Sequence, residues 1–186
     1  MRILIDLQHP AHLHFFRNAV RRLRRHGHAV KLTGRDKDML ADLAREYGLE
    51  VEVFGRARPG LVHMGGELLY RWWQLYRVVR HWQPDRILCI AGTTAGLVGW
   101  LTNTPTHVFY DTEHATLSNL LAYPFATCVH VPQCYSRPVR WRHCRYPGYH
   151  ELAYLHPDYF TPDPNVRREL GLEPDEPYVV VRFVGW

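Results

Sequence analysis

The sequence is poor in lysine, has no paired cysteine motif and lacks a long apolar run. Lys31 and Lys37 are its only lysines, so the net charge of +5 comes almost entirely from arginine, whose planar fork suits phosphate and carboxylate groups. The four cysteines form no C-x-x-C pair, which disfavours a zinc or redox motif and indicates a reducing, cytosolic compartment. No apolar run approaches the roughly 18 residues that a membrane span needs. Asp6 interrupts the first apolar stretch and no cleavage site follows, so a secretory signal peptide is not expected.

Two nucleotide-binding signatures are also absent. The first turn lacks the G-x-G-x-x-G fingerprint of dinucleotide-binding domains, and the chain has no Walker A sequence. The sequence therefore lacks the strongest motif evidence for a nicotinamide-dependent enzyme or a P-loop NTPase. The 186 residues, 46% of them hydrophobic, are enough for one full domain or for one domain with the beginning of another.

The chain begins with a strand, a turn and a helix over residues 1–27. Arg2–Leu7 carries Ile3, Leu4 and Ile5 as an unbroken apolar run, which fits a strand that is covered on both faces in a parallel sheet. Pro10 ends this strand, and from Ala11 apolar residues recur with the period of a helix that Gly27 closes. The turn between strand and helix carries three histidines, which are His9, His12 and His14.

Strands and helices alternate along the rest of the chain, which predicts an α/β fold with a doubly wound parallel sheet. We expect a Rossmann-like domain of six to seven strands in the order 3-2-1-4-5-6. The later strands are expected at His28–Thr33, Leu49–Phe54, Arg86–Ala91, Thr106–Tyr110 and Thr127–Val131, and the later helices at Asp36–Tyr47, Glu67–Trp82, Ala95–Leu101 and Ala115–Tyr123. Gly55–Gly66 is expected to be a loop, and Pro132–Tyr149 to be irregular.

The pattern at the end of the chain predicts the beginning of a second domain. Pro164–Leu170 is expected to be a helical turn, and Tyr178–Val184 (YVVVRFV) reads as an apolar strand with no later segment to pair with. We therefore expect a Rossmann-like domain over 1–160 and a linker over 161–177. Residues 178–186 are expected to be the first strand of a truncated second domain.

Three loops are expected to meet at one crevice. In the predicted order, the first and fourth strands are neighbours and the order reverses between them. Ligands of open α/β sheets bind at such a point, beyond the carboxyl ends of the strands. The loops that would line this crevice are His9–His14, Gly92–Thr94 and Asp111–His114.

The histidines of the first loop are the leading candidates for proton transfer. His12 stands at the start of the helix, and an imidazole titrates near neutral pH, so it is the candidate general base. The alternative is a structural or capping role for at least one of the three. Zinc is disfavoured because His12 and His14 point about 200° apart on a helix. The cysteines and histidines near residue 130 also match no zinc spacing, so we expect no metal and no cofactor.

The other two loops carry polar groups suited to a sugar substrate. Asp111, Glu113 and His114 follow the fifth strand, where carboxylates and an imidazole suit proton transfer or a clamp on sugar hydroxyls. The loop of Gly92, Thr93 and Thr94 offers backbone N–H groups to an anion or a hydroxyl. In both loops the alternative is an ordinary helix N-cap.

The helix Glu67–Trp82 is rich in aromatic and arginine side chains. Its predicted core stripe consists of Leu68, Trp72, Leu75, Val79 and Trp82. The other aromatic and basic residues suit a membrane interface or a surface covered by a partner, and these are Tyr70, Arg71, Trp73, Tyr76, Arg77 and Arg80. Nucleic acid is not expected as a partner, because no recognition motif is present.

Three segments, QHPAHLHFF, DTEHATLSNLLAYPFA and GYHELAYLHPDYF, resemble an uncharacterised archaeal and bacterial family with a GT-B glycosyltransferase-like fold. That family is related to UDP-GlcNAc-type transferases and 2-epimerases, and the similarity runs over nearly the whole chain. Ala11-His12 also resembles the Gly-His at the first turn of the peptidoglycan N-acetylglucosaminyltransferase. GT-B proteins have two Rossmann-like domains, of which the first usually holds the acceptor and the second the nucleotide-sugar. The resemblance implies that this chain is the acceptor-side domain plus the first strand of the donor domain.

The implied activity is transfer of a sugar from a nucleotide-sugar to a polysaccharide or lipid-linked acceptor, without a metal. His12, or Glu113, would deprotonate the acceptor hydroxyl, and His9, Thr93 and Asp111 would orient hydroxyl groups. The donor would bind mainly to the missing second domain, so the chain alone is expected to be inactive. The alternatives are a nucleotide-sugar 2-epimerase and a non-catalytic domain that binds a membrane or a partner. The expected location is cytoplasmic, with peripheral contact to the inner face of the membrane.

Overall fold

The computed structural model describes residues 1–36, 39–56, 61–113, 116–173 and 175–181. Within these residues, seven strands form one sheet, and helices cover both of its faces. The strands are β1 (Arg2–Leu7), β2 (Ala29–Asp36), β3 (Val51–Arg56), β4 (Arg86–Ile90), β5 (Thr106–Phe109), β6 (Cys128–Pro132) and β7 (His143–Tyr146). The helices are α1 (Pro10–Arg25), α2 (Leu40–Glu46), α3 (Leu61–Trp82), α4 (Ala95–Leu101), α5 (Thr116–Ala122), α6 (Leu152–Leu155) and α7 (Asn165–Glu169), with a 3₁₀ helix at Tyr123–Phe125.

The sheet has the predicted doubly wound order. The strands run β3-β2-β1-β4-β5-β6-β7, and every neighbouring pair is parallel. In β1, Leu4 lies opposite Lys31 of β2 on one side and Ile87 of β4 on the other. The connections turn in opposite directions from β1 and from β4, which leaves a crevice at the carboxyl ends of these two strands. The fold class and strand order predicted from the sequence are confirmed.

The central position of β1 in the sheet explains the apolar run of Ile3, Leu4 and Ile5 in its sequence. Leu4 is fully buried in one hydrophobic cluster, together with Leu75 and Val79 of α3. Ile5 is fully buried in a second cluster on the other face of the sheet, together with Phe16 of α1. Both faces of β1 are therefore covered by helices, as expected for a parallel sheet.

Some predicted boundaries are wrong. β7 lies inside the segment 132–149 that was expected to be irregular. It is short, polar and largely exposed, so it lacks the apolar signal of the other strands. The helix α3 begins at Leu61, inside the predicted loop 55–66. β2 continues to Asp36, so that α2 begins only at Leu40.

The predicted last strand is not formed over its described residues. Residues 178–181 are neither helix nor strand, and 182–186 lie outside the described residues. Val179 and Val180 are 87% and 80% exposed, and within the part of the chain that the structure describes no strand pairs with this segment. The helix α7 lies within the segment that was predicted to be a linker. The division into domains itself stays a prediction.

Candidate functional site

Two cavities open at the carboxyl ends of β1, β4 and β5, and both border the turn 91–94 that follows β4. Their volumes are about 420 and 440 Å³, in the range of small-molecule sites. The first, here the histidine cavity, is lined chiefly by His12, Phe15, Ala91, Asp111, His150 and Tyr154. The second, here the arginine cavity, is lined chiefly by Gln8, Arg35, Glu67, Arg71, Thr93 and Thr94. The three predicted loops thus contribute to a crevice with two compartments.

The turn between the two cavities has an unusual backbone. Ala91 and Gly92 both have positive φ angles, of +66° and +69°. A Cβ atom at Gly92 would lie 2.7 Å from Cγ2 of Val108, so only glycine fits there. A positive φ is rare at alanine, and such conformations cluster at functional sites. Thr94 precedes α4 but its side chain does not cap it, and its hydroxyl instead lies 3.5 Å from the amide of Gln8.

A carboxylate and an imidazole are paired in the histidine cavity. Nδ1 of His150 lies 3.0 Å from Oδ2 of Asp111, and this hydrogen bond is the main cause that lowers the pKa of Asp111. The Thr112 hydroxyl donates to Oδ1 of Asp111 at 3.1 Å. The His150 ring is buried against Phe15, with 4.5 Å between ring centroids. Its Nε2 is also buried and has no hydrogen-bond partner among the described residues.

Hydrogen bonds assign different tautomers to the two histidines of this cavity. Nδ1 of His12 accepts the backbone N–H of Gln8 at 3.2 Å, so the proton of the neutral ring is on Nε2. Nδ1 of His150 faces the Asp111 carboxylate and therefore carries the proton, which leaves the lone pair on Nε2. His12 is thus arranged as a hydrogen-bond donor, and His150 as a proton acceptor.

The other two histidines of the first loop have structural contacts. Nδ1 of His9 accepts the N–H of Ala11 at 3.1 Å, so His9 is the N-cap of α1. Nδ1 of His14 lies 3.0 Å from the hydroxyl of Tyr47. Burial, assisted by the charge of Arg17, lowers the pKa of His14. Among the described residues, no three histidine, cysteine, aspartate or glutamate side chains gather as a metal site.

The arginine cavity is built beside a buried ion pair. Arg71 is 3% exposed, and its Nη2 lies 3.4 Å from both carboxylate oxygens of Asp6, which is fully buried. The Thr33 hydroxyl donates to Oδ1 of Asp6 at 3.0 Å. Burial raises the pKa of Asp6, although Arg71 and Thr33 both act in the opposite direction. Arg71 was expected on an exposed surface, and that expectation is wrong because its side chain points to the sheet.

Arg35 and Gly55 complete this arrangement. Nε and Nη2 of Arg35 each donate to a carboxylate oxygen of Glu67 at 2.6 Å, which makes a bidentate ion pair on the cavity wall. Gly55 has φ of +81°, and a Cβ there would lie 3.0 Å from Cγ of Arg71. The absence of a side chain at Gly55 therefore leaves room for the aliphatic part of Arg71 against β3.

The structure separates Glu113 from the histidine cavity. Its two carboxylate oxygens accept the backbone N–H of Ser136 at 2.6 Å and the hydroxyl of Ser136 at 2.8 Å. Glu113 lines a third cavity of about 320 Å³, together with Tyr123, Arg137 and Trp141. His114, predicted to bind substrate, lies outside the described residues.

The outer surface of α3 is aromatic and basic, as the sequence predicts. Tyr70, Trp73 and Tyr76 are 45%, 54% and 39% exposed. The guanidinium of Arg77 lies over the Trp73 ring, 4.7 Å from its centroid. The predicted core stripe faces inward, since Leu75 and Val79 are buried. No helix of the described residues is at once long and apolar enough to cross a membrane.

Four important residues were not predicted as site residues. They are Asp6, Gln8, Arg35 and His150. His150 lies in the segment GYHELAYLHPDYF, but only the folded chain shows that this segment returns to the end of β5. A charged residue inside an apolar strand, Asp6, is the signal that could have revealed the buried ion pair.

The fold is that of the Rossmann-like half of GT-B structures, and several solved structures share it over part of their length. MurG of Acinetobacter baumannii aligns with a TM-score of 0.61 at 14% identity, over 77% of this chain and 44% of that chain. The spinosyn rhamnosyltransferase SpnG, complexed with thymidine diphosphate, aligns with a TM-score of 0.57 at 16% identity, over 80% of this chain and 50% of that one. The UDP-GlcNAc 2-epimerase of Neisseria meningitidis, bound to UDP-GlcNAc, aligns with a TM-score of 0.57 at 13% identity, over 70% and 40% of the two chains.

At the level of sequence, the match is to one family. The model of DUF354, described as a protein of unknown function, matches residues 1–184, so the chain belongs to this family. No curated protein sequence matches the chain. The chain spans half or less of the length of the solved structures above.

Proposed function

We propose that this chain is the acceptor-side half of a glycosyltransferase that uses a nucleotide-sugar. The observation that carries the proposal is the histidine cavity, which brings His12 and the Asp111–His150 pair together at the reversal point of the sheet. The shared fold supports it, because structures with this fold hold thymidine diphosphate or UDP-GlcNAc. The acceptor is proposed to be a polysaccharide or a lipid-linked glycan.

The reaction requires an acceptor hydroxyl to lose its proton while its oxygen attacks the anomeric carbon of the donor. The nucleoside diphosphate then leaves with the electron pair of the broken bond. An imidazole base contributes about 10²–10⁴-fold to such a step. The sequence predicted His12 as this base, but the assigned tautomers favour His150, whose Nδ1–H is held by Asp111 and whose buried Nε2 lone pair would be uncovered by a small movement of its neighbours when the acceptor binds. His12 would then donate a hydrogen bond from Nε2 to the same substrate.

The remaining predicted residues have supporting roles in this proposal. Thr93 and Asp111 orient sugar hydroxyls, while Gly92 and Thr94 shape the turn against which the substrate rests. His9 acts through the first turn of α1, which it caps. A second domain of the kind present in the relatives would hold most of the nucleotide-sugar, so we expect this half alone to be inactive.

Sugar transfer is tested with protein that is purified from its native cells together with any other polypeptide chain that copurifies with it. The protein is incubated with radiolabelled UDP-GlcNAc, with or without a lipid and glycan extract of the same cells. We expect label to appear in the lipid or glycan fraction, and the rate to fall about 100-fold or more in His150→Gln. The control is His26→Gln, at the far end of α1, which should keep the full rate.

The same assay examines the 2-epimerase alternative, which the similarity to the Neisseria meningitidis structure favours. An epimerase would change the labelled nucleotide-sugar in the absence of any extract. If the label is neither transferred nor changed, both activities are rejected for this donor. An unchanged rate in His150→Gln would reject the assigned base.

We further propose that the outer surface of α3 binds an anionic lipid surface, peripherally and at the inner face of the membrane. Trp73 and Tyr76 are exposed residues of the kind enriched at membrane interfaces. No acidic residue occurs over residues 68–84, whereas Arg77 and Arg80 lie on the exposed side of the helix. An exposed basic and aromatic surface is complementary to anionic headgroups.

A further inference from the structure

The arginine cavity contains a buried cation with unused hydrogen-bonding capacity. A guanidinium has five N–H donors in a fixed fork. Nη2 of Arg71 is directed to Asp6, whereas Nη1 is buried and has no hydrogen-bond partner among the described residues. An unpaired buried polar group of this kind is costly, and a charged one more so. Arg71 is therefore a side chain that an incoming acceptor group would satisfy.

The charge of Arg71 is also poorly balanced by its carboxylate. Both contacts between Nη2 and Asp6 are 3.4 Å long, whereas well-formed bonds between a guanidinium and a carboxylate are about 2.7–2.9 Å. Burial raises the pKa of Asp6, so the carboxylate form that would neutralise Arg71 is disfavoured. Arg35 provides the contrast, because its two bonds to Glu67 are 2.6 Å long.

We propose that the arginine cavity binds the phosphate or carboxylate group of an anionic sugar, with Arg71 as its buried cation. The guanidinium fork matches both of these oxyanions. The cavity of about 440 Å³ is large enough for one sugar ring. Gln8, Thr93 and Thr94 on its wall supply amide and hydroxyl groups that suit the neutral hydroxyls of such a ring.

Gln8 is the side chain that would move to admit the ligand. Its amide nitrogen is 3.5 Å from Oδ2 of Asp6 and 3.5 Å from the hydroxyl of Thr94. Both contacts are at the long limit of a hydrogen bond, so they cost little to break. Displacement of Gln8 would open the neighbourhood of the buried ion pair without a change of backbone.

This inference depends on the proposed function in one respect, which is that the bound anionic sugar acts as the acceptor in sugar transfer. The histidine and arginine cavities border the same turn, at Ala91 in one and at Thr93 in the other. An acceptor whose anionic group occupies the arginine cavity would extend past this turn towards His150. Binding of the anionic group itself depends on the arginine cavity alone.

The test compares three sugars that share one ring: glucose 6-phosphate, glucuronate and glucose. Their binding to the full chain is measured by isothermal titration calorimetry at fixed ionic strength, with no nucleotide present. We expect at least one of the two anionic sugars to bind about 10-fold more tightly than glucose, and the tighter one identifies the oxyanion. Equal affinities for all three would overturn the proposal.

Two variants should shift this preference in opposite directions. Arg71→Lys keeps the charge beside Asp6 but loses the fork, so the anionic sugar should bind about 10-fold more weakly. Glu67→Gln removes a negative charge and releases the donors of Arg35, so the anionic sugar should bind more tightly. Arg21→Lys, on the exposed side of α1, is the control and should bind as the wild type does. An unchanged affinity in Arg71→Lys would overturn the proposal.

The design remains decisive if Arg71→Lys fails to fold, as judged by circular dichroism. Arg35→Gln would then replace it, because it leaves the Glu67 carboxylate unpaired in the cavity and should weaken anion binding. If neither Arg35→Gln nor Glu67→Gln changes the affinity, the cavity is not the anion site. Anion binding without sugar transfer would reject only the proposed function. Transfer to an acceptor with no preference for anionic sugars would reject only this inference.

Discussion

The two faces of the sheet have similar buried hydrophobic clusters, but the helices that cover them expose different side chains to solvent. On one face, α1 and α2 cover a cluster that includes Phe16, and on the other, α3 and α4 cover a cluster that includes Leu75. Outside, α1 presents mainly arginines, as at Arg21 and Arg25. The face of α3 to α5 instead exposes large apolar side chains, which are Leu69, Tyr70, Trp73, Tyr76, Trp100, Leu101, Leu120 and Leu121.

The cavities follow the same division. The histidine cavity includes residues of α1, and its carboxylate Asp111 is paired with an imidazole, which lowers the pKa of Asp111. The arginine cavity includes residues of α3, and its neighbouring carboxylate Asp6 has a raised pKa despite its arginine partner. Burial thus determines the core of both faces, whereas the chemistry at the carboxyl edge depends on a few polar side chains.

The largest expected effect is a difference in stability between replacing the buried Arg71 and replacing the exposed Arg21. Arg71→Met should lower the free energy of unfolding by about 3–5 kcal/mol near neutral pH, because Asp6 is left buried without its cation. Arg21→Met should change it by less than about 0.5 kcal/mol, because that side chain is solvated. Both are measured by urea denaturation. The Arg71→Met cost should shrink on acidification, since Asp6 can then be protonated.

Similar losses for the two substitutions would show that the Asp6–Arg71 pair is not formed. A double variant, Asp6→Asn with Arg71→Met, separates the charge from the packing. It should be more stable than Arg71→Met alone, because it no longer buries an uncompensated carboxylate.

The next effect concerns the outer surfaces. Arg77→Gln with Arg80→Gln should weaken binding to vesicles of anionic phospholipid by about 2 kcal/mol, or about 30-fold, at about 1 kcal/mol for each arginine near the surface. Binding is measured by co-sedimentation with vesicles. The matched control on the other face is Arg21→Gln with Arg25→Gln, which removes the same charge and should bind as the wild type does.

An equal loss for both double variants would mean that net charge, and not the surface of α3, determines vesicle binding. No binding of the wild type to anionic vesicles would reject the proposed lipid contact. Trp73→Ser should weaken binding while it leaves the charge unchanged, which distinguishes insertion of the aromatic surface from attraction alone.

Much of the fold could be predicted because its signals are local. The apolar run of β1 and the helical period of α1 are set by neighbouring residues, and the alternation of strands and helices leaves few topologies. β7 could not be predicted in this way, because it is a short polar edge strand at His143–Tyr146 that is defined by pairing with β6. The apolar segment 178–181 shows the converse, since its β-propensity forms no strand where none of the described strands pairs with it.

The candidate site could be predicted only in part, for the same reason. The order of the strands brings the loops of His12, Thr93 and Asp111 together, and the sequence predicted this. It could not predict that His150 comes back to Asp111 from 39 residues further along the chain, or that Glu113 turns towards Ser136. Side-chain partners that are distant in sequence depend on the packed structure and leave no periodic signal.

The smallest expected effect is the change of stability with pH that the carboxyl groups of Asp111 and Asp6 cause. The pKa of Asp111 is lowered from its ordinary value of 3.8, so the folded state holds this proton less tightly than the unfolded state does. Its pairing therefore contributes stability above that value, and the contribution is lost as the pH falls through the lower pKa of the folded state. The raised pKa of Asp6 has the opposite sign, so that group opposes folding as the pH rises through its folded pKa.

Asp111→Asn tests this sign. Because Asp111 is partly exposed, the variant should be less stable than the wild type by less than about 1 kcal/mol at about pH 6. The difference should shrink as the pH falls below the ordinary value of 3.8 and through the lower pKa of the folded carboxylate. The two proteins are compared by urea denaturation over this range. A difference that stays constant with pH would mean that Asp111 does not titrate as a paired carboxylate, and the contrast between the two cavities would then be one of packing and not of charge.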